Sequence, residues 1–180
     1  SGKGSLIVES PLAMKEFSIS ANGDDYKFTV QTYKIYSPST SRSRISLVAH
    51  RRQVQSTSIH NYVPEFSEEF YDKLDDGERD LERNFIVLAY VVGDYLDKNV
   101  SLERGGFEFP KESPDLIYNI SQKQIEEKAA AIAKLAVIDD VDNRRNRTIK
   151  KFDEYVRDNM PWHRDTLSKI DYSKVPHNPS

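Results

Sequence analysis

The residues best suited to chemistry are concentrated in one polar segment, 93–110, which directly follows a strongly apolar run. It reads Gly-Asp-Tyr-Leu-Asp-Lys-Asn-Val-Ser-Leu-Glu-Arg-Gly-Gly-Phe-Glu-Phe-Pro. Two adjacent glycines allow a backbone to approach a ligand closely, and an arginine beside them can give paired hydrogen bonds to phosphate oxygens. The segment is therefore interpreted as a loop that approaches a ligand, with Arg104 as its candidate contact. The alternative is a surface arginine paired with Glu103 or Glu108.

A second group of candidates is the basic run formed by Arg42, Arg44, Arg51 and Arg52. Such a run can contact the phosphates of DNA or RNA. The sequence has no regularly spaced aromatic residues beside this run that could stack on bases. The alternative is a solvated edge strand whose charges oppose aggregation between sheets.

Other polar residues favour structural roles. His50 and His60 lie in no Ser/His/Asp pattern and are interpreted as turn or packing residues. The acidic segment 65–80 has no spacing typical of a metal site, so Ser67 is predicted to cap a short amphipathic helix that ends at Asp75-Asp76-Gly77. The sequence contains no Cys and only four scattered His, which excludes thiolate metal sites and cysteine catalysis. No metal site is predicted.

Composition indicates one globular domain with an appendage. The 180 residues are 37% hydrophobic, 31% charged and 11% aromatic, so large side chains can fill a core inside a well-solvated surface. The formal net charge of −3 argues against a dominant nucleic-acid footprint. No window approaches the roughly 20 apolar residues of a membrane span, so we expect a cytoplasmic protein with no membrane partner.

Hydrophobic periodicity predicts strands in the first part of the chain. Alternation from Tyr26 to Ile35, with a change of phase suggesting a bulge, follows an Asn22-Gly23 turn signal, so 17–20 is predicted to form the other arm of a hairpin. A third strand is predicted at 44–50 with a short extension at 53–55. The nearly continuous apolar run 84–92 predicts a central strand that is buried on both faces.

The period changes to that of a helix after Pro110. Ile125, Ala129, Ile132 and Ala136 recur at helical spacing, and a second helix is predicted to follow a charged break at 139–147 and to stop at Pro161. Strands followed by helices indicate an α+β fold, with a mixed or antiparallel sheet and helices on one face. The predicted organisation is a flexible start at 1–12, an α+β domain at 13–112, a helical extension at 113–170 and an extended tail at 171–180.

Two segments resemble a known superfamily. Asp94-Tyr95-Leu96-Asp97-Lys98-Asn99-Val100-Ser101, with Arg104 beyond it, resembles the middle-domain catalytic loop of heat-shock chaperones in the gyrase, histidine-kinase and MutL ATPase superfamily. The stretch 47–54 is similar to the V-N-x-R-x-V element of the MutL and gyrase transducer domains. With the predicted strand order, the resemblance covers about 17–110. Leu102 and Glu103 separate Ser101 from Arg104, whereas the chaperones place the arginine directly after the serine.

The resemblance implies a transducer domain with the ribosomal-protein-S-five domain-2-like fold. In that superfamily an N-terminal domain binds ATP and Mg²⁺, and the transducer reaches its terminal phosphate with a basic residue. Arg104 matches that arginine and Asn99 the asparagine that orders the loop, which makes them the implied catalytic pair. Lys98 and Ser101 beside them complete the implied cofactor contacts. The superfamily's nucleotide-binding motifs do not occur in these residues, so we expect a fragment of an ATPase that holds no cofactor alone.

A binding module is the alternative function. Its basic run could hold nucleic acid, and the Ala129-Ala130-Ala131 stripe could host a partner helix or a second copy of the chain. The transducer hypothesis instead expects a neighbouring ATP-binding domain, a homodimer and a protein client or DNA as partners. Salt-dependent affinity for DNA would favour the binding module, and an Asp-x-Gly-x-Gly motif upstream of this segment would favour the transducer hypothesis.

Overall fold

A mixed six-stranded sheet organises the chain. The computed structural model describes residues 10–36, 42–75, 80–101, 103, 105–112 and 119–159. Five strands follow the order β1-β2-β6-β3-β4, and β5 pairs with a further part of β6. A separate two-stranded sheet joins β7 and β8. The strands are β1 (Ala13–Ala21), β2 (Asp24–Tyr36), β3 (Arg44–Ala49), β4 (Arg52–Ser58), β5 (Phe70–Asp75), β6 (Asp80–Val92), β7 (Val100–Ser101) and β8 (Gly106–Phe107).

The predicted first hairpin is confirmed. Strand β1 pairs antiparallel with β2, and the turn places Asn22 at φ 54° and Gly23 at φ 82°. These angles are those of a type I′ turn, for which Asn-Gly is the favoured pair. The predicted bulge is wrong, because the register of β2 is unbroken against β1 over Asp24–Thr32 and against β6 over Thr29–Tyr36. The apparent change of phase arises because Thr32 and Lys34 occupy core-side positions that an apolar residue usually fills.

Strand β6 is the centre of the sheet, as predicted. It pairs antiparallel with β2, parallel with β3 and antiparallel with β5. Every second residue from Phe85 to Val91 is fully buried. On the opposite face Ile86 is also buried, whereas Leu88, Tyr90 and Val92 are only half-buried. The expectation that both faces are buried is therefore confirmed for the first face but, on the second, only at Ile86, because the longer helices pack against the first.

The acidic segment contains a strand where a short helix is predicted. Pro64–Phe66 forms a single 3-10 turn, and β5 begins at Phe70. The Phe70 ring lies 5.0 Å from Phe66 and 5.5 Å from Phe85, measured between centroids. Packing of these rings against the central strand overrides the local helix signal at Ser67. The predicted exit residues Asp76-Gly77 lie outside the described residues.

Three helices complete the described fold. They are α1 (Asp94–Lys98), α2 (Gln122–Ala136) and α3 (Ile138–Asn159). A capping box of Ser121 and Gln124 starts α2, whereas the predicted start at 113–115 lies outside the described residues. The predicted break at 139–147 is wrong, because these residues form the first turns of α3. Asp139 and Asp140 suit a helix N-terminus, where negative charge is stabilised.

One hydrophobic core joins the sheet to the helices. Ile125, Ala129 and Ala133 of α2 pack in the same cluster as the buried residues of β2, β3 and β6. Small side chains let α2 approach the sheet closely. This arrangement confirms the α+β class with a mixed sheet. No described helix combines the length and the apolar character needed to cross a lipid bilayer.

We predict that Val87→Asp lowers the free energy of unfolding by more than about 3 kcal/mol, because it places an unpaired carboxylate in the core. Val87 is fully buried on the helix-covered face. The matched control Leu88→Asp, on the half-buried face, should cost far less. Urea denaturation of both variants measures the difference, and equal costs would contradict the one-sided sheet.

Candidate functional site

Parallel pairing of β3 with β6 brings the two resembling segments to one edge of the sheet. Residues 44–47 of β3 pair with residues 88–91 of β6. The ends of parallel strands meet at the same edge. The turn after β3, at His50 and Arg51, therefore lies beside α1, which follows β6. Two stretches about 40 residues apart in the sequence thus become neighbours.

A hydrogen bond joins the two segments directly. The His50 backbone N–H donates to Oδ1 of Asp97 in α1 over 2.7 Å. His50 has φ 49° and Arg51 has φ 64°, so both adopt the left-handed region that non-glycine residues rarely occupy. A charged acceptor forms a stronger bond than a neutral one. Asp97 therefore supports a turn whose own residues disfavour its conformation.

The base of the polar loop is ordered around Asn99. Its Nδ2 donates to the Tyr95 carbonyl oxygen over 2.8 Å, and its own carbonyl accepts the Glu108 N–H over 2.8 Å. Strands β7 and β8 pair immediately beyond it, and the Gly105 N–H donates to the Ser101 carbonyl over 3.0 Å. Asn99 thus closes the loop through both its side chain and its backbone.

Aromatic rings anchor the same loop to the sheet. Tyr95 lies 5.0 Å from Tyr26 and 5.4 Å from Phe109, measured between ring centroids. Burial raises the pKa of the Tyr95 hydroxyl, with a smaller contribution from Tyr26. Before α1, Gly93 approaches the Lys27 carbonyl so closely that a Cβ would lie 2.8 Å from its oxygen. Only glycine allows this approach without a backbone shift.

A cavity of about 530 Å³ lies between the hairpin and the loop. It brings Ser101 together with Arg52, two predicted site residues from different segments. Lys98 is exposed at the end of α1, and Arg104 lies outside the described residues. The cavity is lined by His50, Arg52 and Val54 from the hairpin and by Val100, Ser101 and Gly105 from the loop.

The four arginines of the basic run occupy two places. Arg42 and Arg44 lie at the start of β3, whereas Arg51 and Arg52 lie at the turn after its end. All four are exposed. A six-residue strand spans roughly 17–20 Å, so the run forms two separate cationic positions.

A charged cluster that the sequence analysis missed lies between β2, β5 and α3. Nζ of Lys34 is 3.2 Å from Oδ1 of Asp72 and 3.0 Å from Oδ2 of Asp140. The Tyr36 hydroxyl donates to Asp72 over 2.7 Å. The cluster borders a cleft of about 750 Å³ between β5 and α3. Its signal in the sequence was a lysine at a core-side position of β2, on the same face as Phe28 and Val30.

Electrostatics in this cluster keep Lys34 charged. Burial alone lowers the pKa of Lys34, but hydrogen bonds with Asp140 and Asp72 raise it above the ordinary value. Burial likewise acts to raise the pKa of Asp72, and bonds from Tyr36 and Lys34 bring it below its usual range. Burial dominates at Asp140, whose pKa is raised. The cluster is therefore an ion-pair network that attaches α3 to the sheet.

A buried carboxylate attaches α2 in a similar way. Glu126 is 2% exposed and accepts hydrogen bonds from Thr57 and Gln122, each over 2.8 Å, and from the Tyr62 hydroxyl over 2.5 Å. Burial and the adjacent carboxylate raise the pKa of Tyr62 far above the ordinary value for tyrosine. Three donors satisfy the buried oxygens, as a polar group removed from water requires.

Neither a metal cluster nor a known relative identifies the site. Within the described ranges, no three His, Cys, Asp or Glu side chains converge as a metal site would require.

Comparisons with protein-family models, curated proteins and solved structures find no match. The residues brought together at the edge of β3 and β6 remain the basis for a functional proposal.

We predict that Tyr62→Phe destabilises the protein by about 1–3 kcal/mol at pH 7, because it removes a donor from buried Glu126. The unfolded chain ionises its tyrosines near pH 10, whereas folded Tyr62 keeps its proton, so its contribution to stability is lost as pH rises. The difference between wild type and Tyr62→Phe should therefore narrow above pH 10. Urea denaturation from pH 7 to 11 measures this, with the half-exposed Tyr71→Phe as control; a constant difference would contradict it.

Proposed function

We propose that this chain acts as the transducer domain of an ATPase in the gyrase, heat-shock-chaperone, histidine-kinase and MutL superfamily. One observation supports the proposal above the others. The two segments that carry the resemblance meet at one sheet edge, where Asp97 accepts the His50 N–H over 2.7 Å. Sequence likeness in two separate stretches is more informative when the fold makes those stretches neighbours.

Arg104 supplies the chemistry in this proposal. ATP and Mg²⁺ are held by another domain of the longer protein, and Arg104 contacts the terminal phosphate across the domain boundary. A guanidinium offers bidentate hydrogen bonds to phosphate oxygens, and arginines in this role contribute about 10³–10⁵ in rate. Asn99 orders the loop through the two bonds described above, and Lys98 and Ser101 provide the neighbouring polar contacts.

Closure of the loop on the nucleotide is proposed to reach the helices through β6. This strand leads directly into α1 and pairs with β2 and β5. Lys34 of β2 forms ion pairs with both Asp72 of β5 and Asp140 of α3. A shift at the nucleotide edge therefore has a continuous path of strand pairing and ion pairs to the C-terminal helix.

A nucleic-acid-binding module is the second candidate. The observation in its favour is the exposure of all four arginines at the two ends of β3. Two cationic positions roughly 17–20 Å apart could contact phosphates at two points along a nucleic-acid backbone. Affinity of the chain for DNA that falls steeply with salt, and falls further in Arg44→Ala, would favour this candidate.

We predict that the chain studied alone neither binds nor hydrolyses Mg·ATP, because its residues contain no motif that holds adenine or Mg²⁺. Calorimetric titration with Mg·ATP measures this. Micromolar binding would show that a nucleotide site lies within these 180 residues and would contradict the division of labour proposed above.

We also predict that Arg104→Ala lowers ATP turnover of the full-length protein at least tenfold. Arg104→Lys should restore only part of the rate, because an ammonium lacks the planar fork of a guanidinium. The matched control Arg44→Ala, at the far end of β3, should leave turnover unchanged. A steady-state ATPase assay decides between the outcomes.

The result also tests the residue assignment. Turnover that survives Arg104→Ala but is lost on Lys98→Ala would show that another cation acts, while the transducer hypothesis stands. Turnover insensitive to both changes would contradict the transducer hypothesis and favour the binding module.

A further inference from the structure

Both tight hairpin turns of the sheet contain two consecutive residues with positive φ, but the residue types differ. The β1–β2 turn uses Asn22 and Gly23, which adopt positive φ readily. The β3–β4 turn has the same left-handed pattern but is made of His50 and Arg51. Neither residue favours that region, so this turn needs support from outside the hairpin. Strain of this kind, where the surroundings maintain it, is typical of functional positions.

The support comes from a rigidly held residue. Asp97 accepts the His50 N–H over 2.7 Å from within α1. Its neighbour Leu96 is fully buried in the core, and Tyr95 packs edge-on against Tyr26. The Asp97 carboxylate is therefore fixed relative to the sheet by the residues on its N-terminal side.

The same helix leads into the polar loop. Asn99 follows α1 by one residue and closes the loop base through its bonds to Tyr95 and Glu108. Asp97 thus lies between two elements, with the strained turn on one side and the loop on the other. The cavity of about 530 Å³ is formed by those same two elements.

We propose that Asp97 is a positioning residue that fixes the hairpin turn at His50 against the base of the polar loop at Asn99. This inference rests on the proposed transducer function. Asp97 itself touches no phosphate in this scheme. Loss of its bond should therefore lower kcat for ATP hydrolysis and leave the KM for ATP unchanged, because ATP binds in the other domain.

The bond itself is tested on this chain without any ATPase activity. In Asp97→Ala, amide hydrogen exchange at His50, followed by NMR, should be at least tenfold faster than in the wild type. Asp97→Asn should keep most of the protection, because its amide oxygen can accept the same hydrogen. Unchanged exchange in Asp97→Ala would overturn the proposal.

The positioning role is tested in the full-length protein. Asp97→Ala should lower kcat at least fivefold with the KM for ATP within twofold of wild type, and Asp97→Asn should recover most of the rate. The control Ile59→Val removes a methyl group from a buried core position away from the loop. If Ile59→Val lowers kcat as much as Asp97→Ala, general destabilisation explains the loss and the proposal fails.

A turn exchange separates the bond from the side chains. The double change His50→Asn and Arg51→Gly copies the β1–β2 turn and keeps the backbone N–H that Asp97 accepts, so the amide protection factor at position 50 should stay within twofold of the wild type. Loss of that protection in the double variant, with none lost in Asp97→Ala, would overturn the proposal. If Arg104→Ala leaves ATP turnover unchanged, both the transducer function and this inference are overturned. If Arg104→Ala lowers turnover but Asp97→Ala does not, only this inference is overturned.

Discussion

Parallel pairing between β3 and β6 is the constraint on which the rest of the structure depends. Four residue pairs, from Arg44↔Leu88 to Leu47↔Val91, align the ends of the two strands. Without this pairing, the His50–Arg51 turn and α1 would have no reason to meet. All other pairings of the main sheet are antiparallel. Three of them join strands that are consecutive in the sequence, and the fourth joins β2 to β6.

The sequence predicted the structure best where a short pattern is compatible with few conformations. Asn22-Gly23 predicts a type I′ turn, and the unbroken apolar run 84–92 predicts a central strand, since few other environments accept either. The β5 strand was not predictable in this way, because its position depends on the distant Phe85 ring. The site was predictable in part. Asn99 and Ser101 were implied by the resemblance and Arg52 by the basic run, whereas the importance of Asp97 depends on a turn that lies 47 positions earlier.

Buried polar groups explain the remaining differences between expectation and structure. Lys34 and Glu126 occupy core-side positions, and each carries a charge that must be satisfied by groups from other elements. Hydrophobic periodicity treats such residues as interruptions, which is why β2 was predicted to contain a bulge. The partners Asp140 and Tyr62 lie 106 and 64 positions away, so no local pattern could have revealed them. These bonds fix which helix face meets the sheet, since an unpaired buried charge is costly.

The attachment of α3 differs along its length. Only Val141 and Val156 of its 22 residues are buried, and the Lys34 cluster and the Arg144–Glu68 pair hold its first half against the sheet. Dissolved ions screen exposed pairs over about 8–10 Å but reach buried ones poorly. The Glu68 side chain is 62% exposed, whereas Lys34 and Asp140 are each 17% exposed. Rising ionic strength should therefore weaken the Arg144–Glu68 ion pair before the Lys34–Asp140 pair, so that the ion pairing of the first turn of α3 is the least sensitive to salt.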